Sequence, residues 1–424
     1  MKLPTPPRNV DARFAIRFGL AVCLSALVGM LYSAEFDLRV YYHGAQVALG
    51  LDPNDLYAPY LGPIHDPGLP FTYPPFAALA FIPLALVPWE VASWFSAIFT
   101  LSAAFVIAKD LLRRTMGLVG ERLWWIALAW GIGVCVVLAP WRDSLWFGQI
   151  NPLLMLVCYV DLAGLMPRVP RGLLIGLFSG IKLVPLALGL FFLARGMWRA
   201  ILWLGAGFGG TVLVGWLLLP NESSSYWFSV LTDPARVGSL GYPDNISIRG
   251  LLARTPAADD SSLIWLTIVL LLCGVTYVVL RRRKTLEYDL SSIYLVASLM
   301  LLISPVTWSH HAVWVSLLIP MSFLMLRTYP WRFSESLTFG VTALLLVVMV
   351  LGPKRIVWML GSHANLGTTW QSVVAGQTVT GLLLIVHLAI AFTSVAMVSP
   401  TTNQPLSLLG RSNGHSSKGS QQQS

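Results

Sequence analysis

The stretch EFDLRVYYHGAQVALGLDPNDLYAP, Glu35 to Pro59, decides how the chain is read. It follows an apolar run at about 14–33, long enough to cross a bilayer, and it crowds a carboxylate, a guanidinium, two phenols and an imidazole into seven residues from Asp37 to His43. Polar side chains of this density directly after a spanning segment belong at a water–lipid boundary rather than inside hydrocarbon.

The rest of the sequence agrees. Of 424 residues, 56% are hydrophobic and 11% charged, with 17 Trp and a mean hydropathy of +0.70. A water-soluble chain of this length would have too little polar material for its surface, so the solvent is a bilayer and the protein is an all-α polytopic integral membrane protein. The net charge of +9 does not indicate nucleic acid. The basic residues lie in short runs between apolar segments, among them Lys109, Arg113, Arg114 and Arg122, then Arg168 and Arg171, Arg195 and Arg199, Arg281 to Lys284, and Arg327 and Arg332. That is the pattern of cytoplasmic loops under the positive-inside rule. Cys23, Cys135, Cys158 and Cys273 sit in apolar segments without CxxC spacing, as small core residues do. Tyr32 and Ala34 before Glu35 make a poor signal-peptidase site, so 14–33 is expected to be an uncleaved anchor with Met1 to Arg13 in the cytoplasm.

Further apolar segments fall at about 91–108, 123–140, 150–166, 200–219, 262–280, 290–304, 312–326, 335–351 and 376–396. Segment 71–88 contains Pro74, Pro75, Pro83 and Pro88, and segment 172–194 is interrupted by SGIKLVP. Reading the first as a broken segment and the second as two short helices meeting near Lys182 keeps every strong basic run inside. The expectation is about 12 membrane segments, both termini cytoplasmic, and outer loops at 34–70, 141–149, 220–260, 304–311 and 352–375. The Ser-, Gln- and Gly-rich tail 399–424 is too polar to fold on its own and is expected to be disordered. No internal repeat suggests a transporter's inverted symmetry.

Several polar residues stand where chemistry could occur. Asp37, at the outer end of the first segment, is either a helix cap or a base within reach of a substrate hydroxyl. Lys182 lies in GLFSGIKLVPLAL, where an unpaired ammonium costs about 2.5–3.5 kcal/mol; it either snorkels to the surface or meets an anion such as phosphate. His310 and His311 follow SPVTWS and are either satisfied interface residues or donors to a phosphate. Adjacent histidines on a helix diverge by about 100°, which argues against a metal site. Gln149 and Asn151 in WFGQINPLL, and Asn245 in DNISIRGLLAR, place amides beside aromatics, as a sugar requires, or else cap loops.

Taken in order, FDLRVYYHGAQ with LYAP, FTYPPFAAL, WFGQINPLL, GLFSGIKLVPL, DNISIRGLLAR and SPVTWSHHAVW resemble glycosyltransferase family 87, the polyprenol-phosphate-mannose-dependent α-mannosyltransferases, from about Asp37 to Trp314. The resemblance implies a GT-C type fold whose first outer loop carries the catalytic acid. It also implies transfer of mannose from polyprenyl-phosphate-mannose to a glycolipid or glycan acceptor, a phosphatidylinositol mannoside, lipomannan or lipoarabinomannan, at the outer face of the plasma membrane. The linkage it implies is α-1,2, formed with inversion. By the same likeness Asp37 is the general base, Lys182, His310, His311 and, more weakly, Arg249 meet the donor phosphate, and Arg39, Tyr41, Tyr73, Gln149, Asn151 and Asn245 bind substrate. The partners are the two lipid substrates and the bilayer, with no cofactor and no required metal. The rival readings are a lipid-linked sugar flippase, which would line a polar path through the membrane, a pentosyltransferase using the same lipid carrier, and a non-catalytic scaffold.

Overall fold

The computed structural model describes residues 36–59, 69–255, 261–283, 289–328, 333–361 and 369–396. The expected anchor 14–33, the N-terminus Met1 to Arg13, Cys23 and the tail 399–424 lie outside them, as do parts of the expected outer loops. Every regular element among the described residues is an α- or 3-10 helix, and the only β-pairing is an isolated bridge between Asn245 and Trp308. Among the described residues, seven helices are long and apolar enough to span a bilayer: Trp89–Met116, Gly120–Val137, Trp198–Leu218, Ser262–Arg282, Ser309–Leu326, Phe333–Leu351 and Trp370–Thr393. Three shorter apolar helices accompany them, Asn151–Ala163, Val184–Arg195 and Leu290–Ile303. The protein is therefore a multi-pass membrane protein. Outward side chains such as Leu202, Leu213, Leu217, Leu263, Leu270 and Leu271 would be a liability in water and are ordinary facing lipid.

Both proline- and glycine-broken segments are broken in the structure. Residues 75–85 form two short helices, Pro75–Ala80 and Ile82–Ala85. The second broken segment runs as helix Leu173–Ser179, a turn carrying Lys182, the 3-10 helix Val184–Leu188 with Pro185 in its first turn, and helix Gly189–Arg195. Gly172, Gly176 and Gly180, at fourfold spacing, let the first of these lie against Trp198–Leu218 with its backbone in contact. A Cβ at Gly176 would strike the Leu204 carbonyl oxygen, and one at Gly207 would come 2.8 Å from the Leu173 carbonyl oxygen. Replacing Gly176 by Val is expected to destabilise the detergent-purified protein by at least ~1–3 kcal/mol, the usual cost of overpacking; a melting temperature equal to wild type would refute this close packing.

Three helices run from one polar centre to a second, charged end. Asn151–Ala163 starts at Asn151 and carries Asp161 in its last turn, where it accepts from the Gly172 and Ile175 amides and lies 3.8 Å from Arg171. The Lys182 turn leads to Arg195 through the 3-10 helix and helix Gly189–Arg195. The nearly fully buried Leu290–Ile303 begins at Asp289, which pairs with Arg283 and Arg195, and ends at Ser304, about 20 Å away at 1.5 Å per residue. The two arginines hold the Asp289 carboxyl below its ordinary value despite its burial.

The expected loop 141–149 is mostly helix, Ala139–Phe147. Extended Leu138 and Pro140 in the first turn start it, and Gly148, at φ 65°, ends it in the left-handed region. The expected loop 34–70 likewise contains a helix, Phe36–Ala48, with Asp37 in its first described turn; the segment 14–33 before it lies outside the described residues. These two short helices meet where a Cβ at Gly148 would lie 2.6 Å from Leu38 Cβ, and that close approach brings Gln149 beside Asp37.

Candidate active site

A cavity of about 300 Å³ opens where Phe36–Ala48, the Tyr73–Pro74 corner, the Lys182 turn, the loop after helix Pro220–Phe228 and the 304–311 segment converge. Asp37, Tyr73, Gln149, Lys182 and His311 line it, as do Thr72, Tyr226, Asp233, Arg236 and Trp308. The last five had not been singled out from the sequence.

The carboxylate side is built through Gln149. Its amide hydrogen-bonds Asp37, while its Oε1 accepts from the Tyr41 hydroxyl at 2.9 Å and from Asn151 Nδ2 at 3.1 Å. Tyr41 is fully buried, 3.1 Å from the Tyr73 hydroxyl, and its ring stacks on Phe81 at 4.5 Å. It therefore holds Gln149 and Tyr73 in place and does not itself line the cavity. Burial pushes the Asp37 carboxyl above the ordinary aspartate range, against Gln149, Lys182 and Lys354, which pull it down.

The cationic side is built on Lys182. Its Nζ donates to Asn151 Oδ1 at 3.0 Å and to His311 Nε2 at 2.9 Å. An ammonium only donates, so Nε2 accepts and His311 is the neutral tautomer protonated on Nδ1. His310 points elsewhere: it is buried against Phe147, neither ring nitrogen has a hydrogen-bond partner among the described residues, and its carbonyl takes bonds from Ser144 and Asn151. A second, narrower recess of about 30 Å³ adjoins Lys182 and His311, walled by Leu154, Cys158, Leu188, Met300, Leu301 and Trp314.

Besides Tyr41 and His310, three further residues expected at the donor or acceptor stand away from the cavity. Arg249 lies 5.2 Å over the Trp265 ring and bonds Ser262: Ser247 caps helix Ile248–Ala253, and Arg249, in its first turn, faces Ser261–Arg282. Arg39 stacks on Trp89 at 4.6 Å. Asn245 is fully buried and structural: its Oδ1 accepts from the Ser247 and Thr307 amides, and its Nδ2 donates to the Leu240 carbonyl. That clamp pairs the third loop with the 304–308 segment and presents Trp308 to the cavity.

Lys354, in the expected loop 352–375, was not foreseen. Its Nζ is 3.1 Å from the buried Asp244 carboxylate and 4.8 Å from the centre of the Phe147 ring. Burial lowers its pKa, but Asp244 and Asp143 outweigh burial and hold it above the ordinary lysine value. Among the described residues, no three His, Cys, Asp or Glu side chains converge at metal-ligating range.

A carboxylate on a short helix and an ammonium on a turn thus line one pocket among the membrane spans. Comparison with known proteins gives the class of protein that carries it. A sequence model of glycosyltransferase family 87 matches residues 71–305, which include Tyr73, Gln149, Asn151 and Lys182 and leave Asp37, His310 and His311 outside. Over 299 residues the chain is 35% identical to the polyprenol-phosphate-mannose-dependent alpha-(1-2)-phosphatidylinositol pentamannoside mannosyltransferase of Mycolicibacterium smegmatis, covering 69% of each chain. It is 31% identical over 381 residues to the polyprenol-phosphate-mannose-dependent alpha-(1-2)-phosphatidylinositol mannoside mannosyltransferase of Mycobacterium tuberculosis, covering 86% of each. No solved structure matches the chain at a significant level. The chain belongs to glycosyltransferase family 87.

Proposed function

We propose that the chain transfers mannose from polyprenyl-phosphate-mannose to a phosphatidylinositol mannoside, with inversion and formation of an α-1,2 linkage, in a GT-C type membrane domain over 14–398 that has about a dozen segments. The observation that carries the reading is that one cavity is lined by both Asp37 and the Lys182–His311 pair. Asp37 takes the proton of the acceptor hydroxyl as that oxygen bonds C1 of the mannose. The C1–O bond to phosphate breaks on the opposite face, and its electron pair stays with the leaving polyprenyl phosphate. The phosphodiester leaves as a monoester with one more negative charge, which the Lys182 ammonium offsets in a low-dielectric setting. The relatives' names support donor and acceptor.

The cavity's place supports an outer-face site. It lies at the end of Leu290–Ile303 opposite the Arg195, Arg283 and Asp289 cluster, and basic residues favour the cytoplasmic side. The deciding experiment is transfer of radiolabelled mannose from polyprenyl-phosphate-mannose to a phosphatidylinositol mannoside by purified protein, with and without EDTA. Labelled glycolipid in both arms is expected. Product lost on EDTA and restored by a divalent ion would overturn the metal-free mechanism, and no product from folded protein would overturn the donor or the acceptor.

A further inference from the structure

We infer that Asp233 and Arg236, on the loop after helix Pro220–Phe228, form the subsite for the terminal sugar of the acceptor; the inference rests on the reaction proposed above. The cavity lining holds two chemically different sets of side chains. Lys182 and His311 also adjoin the narrow recess walled by Leu154, Leu188, Met300 and Trp314. The other set is Asp233, Arg236, Tyr226 and Trp308, with Thr72. Tyr226 comes from helix Pro220–Phe228, Arg236 from the 3-10 helix Pro234–Val237 and the others from connecting segments; together they supply what a pyranose needs: a carboxylate and a guanidinium for neighbouring hydroxyls and aromatic rings for the C–H face.

Arg236 is held ready for this. One terminal nitrogen donates to the Tyr57 and Ala58 carbonyls, the latter at 3.1 Å, and the guanidinium lies 5.9 Å from the centre of the Tyr57 ring. Its Nε is buried and has no hydrogen-bond partner among the described residues. The fork is thus fixed at one edge while it lines the cavity. At about 300 Å³ the cavity is at the lower end of ordinary ligand pockets, which suits the two reacting sugars rather than a whole glycolipid. Recognition here is accordingly of the sugar and not of the acceptor's phosphate.

The test compares wild type with Asp233→Asn, Arg236→Lys and Arg236→Ala on two acceptors, a phosphatidylinositol mannoside and methyl α-mannopyranoside, which carries no phosphate. Donor hydrolysis without acceptor is measured alongside, and methyl α-mannopyranoside binding is followed by saturation-transfer NMR. Asp233→Asn and Arg236→Ala are expected to raise KM for both acceptors tenfold or more and to weaken the NMR signal, with donor KM and donor hydrolysis within twofold of wild type. Arg236→Lys, which keeps one donor, is expected to fall between. A rise in donor KM, an effect confined to the phosphorylated acceptor, or a uniform fall in kcat with both KM values unchanged would each overturn the assignment, the last by reducing Arg236 to a clamp on Tyr57. Failure of wild type to transfer mannose counts against the proposed reaction; an unchanged NMR signal in both variants counts against the subsite even then.

Discussion

Asp37→Asn is expected to lower kcat/KM for mannosyl transfer by about 10²–10⁴, the range a positioned general base contributes. Asn is nearly isosteric, and its oxygen can still accept from Gln149, so the surroundings built by Tyr41, Tyr73 and Gln149 should persist. Only the site for the proton is removed. The variant is also expected to be at least as stable as wild type. A carboxyl whose folded pKa is raised is disfavoured as an anion in the folded state, so above the unfolded value of about 3.9 its charge costs stability. Below the unfolded value both proteins carry a neutral group and melt alike; the gap in favour of Asn opens as pH rises above that value and is complete once pH passes the raised folded pKa. Activity has the opposite dependence, because the base must be ionised: the acid limb of kcat/KM should fall above the ordinary aspartate range. Full transfer by Asp37→Asn, or an acid limb at or below pH ~4, would sink the assignment of Asp37 as base. An inactive variant with a depressed melting temperature would point to a structural role instead.

The sequence revealed this site unevenly, and helix geometry explains the pattern. Asp37 and Tyr41 are four residues apart and share a face of Phe36–Ala48, so both reach Gln149. Arg39, two residues from Asp37, is rotated by roughly 200° and falls on Trp89. In an extended strand Arg39 and Asp37 would have pointed the same way, and it is the helix that sends them apart. Lys182 was legible because Gly180 and Pro185 break an apolar run around a charge. Arg249 misled because motif membership says nothing about the direction a side chain takes on helix Ile248–Ala253. Arg236 and Lys354 carry no local pattern. Their roles come from the Tyr57 and Ala58 carbonyls and from Asp244, contacts far apart in the chain that only the assembled fold supplies.

Lys182→Met is expected to cost about 10²–10³ in kcat, comparable to removing a preorganised donor aimed at developing charge. The bound phosphodiester carries one negative charge and the departing monoester gains a second as the C1–O bond breaks, so an ammonium at the leaving oxygens binds the transition state better than the ground state. Met fills a similar apolar volume and leaves only the charge missing. Lys182→Arg should retain a minor part of the activity, because the planar guanidinium must enter a slot sized for an ammonium, with Asn151 Oδ1 at 3.0 Å and His311 Nε2 at 2.9 Å. His311→Ala removes the acceptor that holds the ammonium in place, and its effect on kcat should lie between wild type and Lys182→Met. His310→Ala should leave kcat nearly unchanged and act through stability, since its ring is packed on Phe147 outside the cavity lining. The informative quantity is the split between kcat and donor KM. If Lys182→Met raised donor KM and left kcat intact, Lys182 would bind ground and transition states equally, and the leaving-group role assigned to it would be wrong.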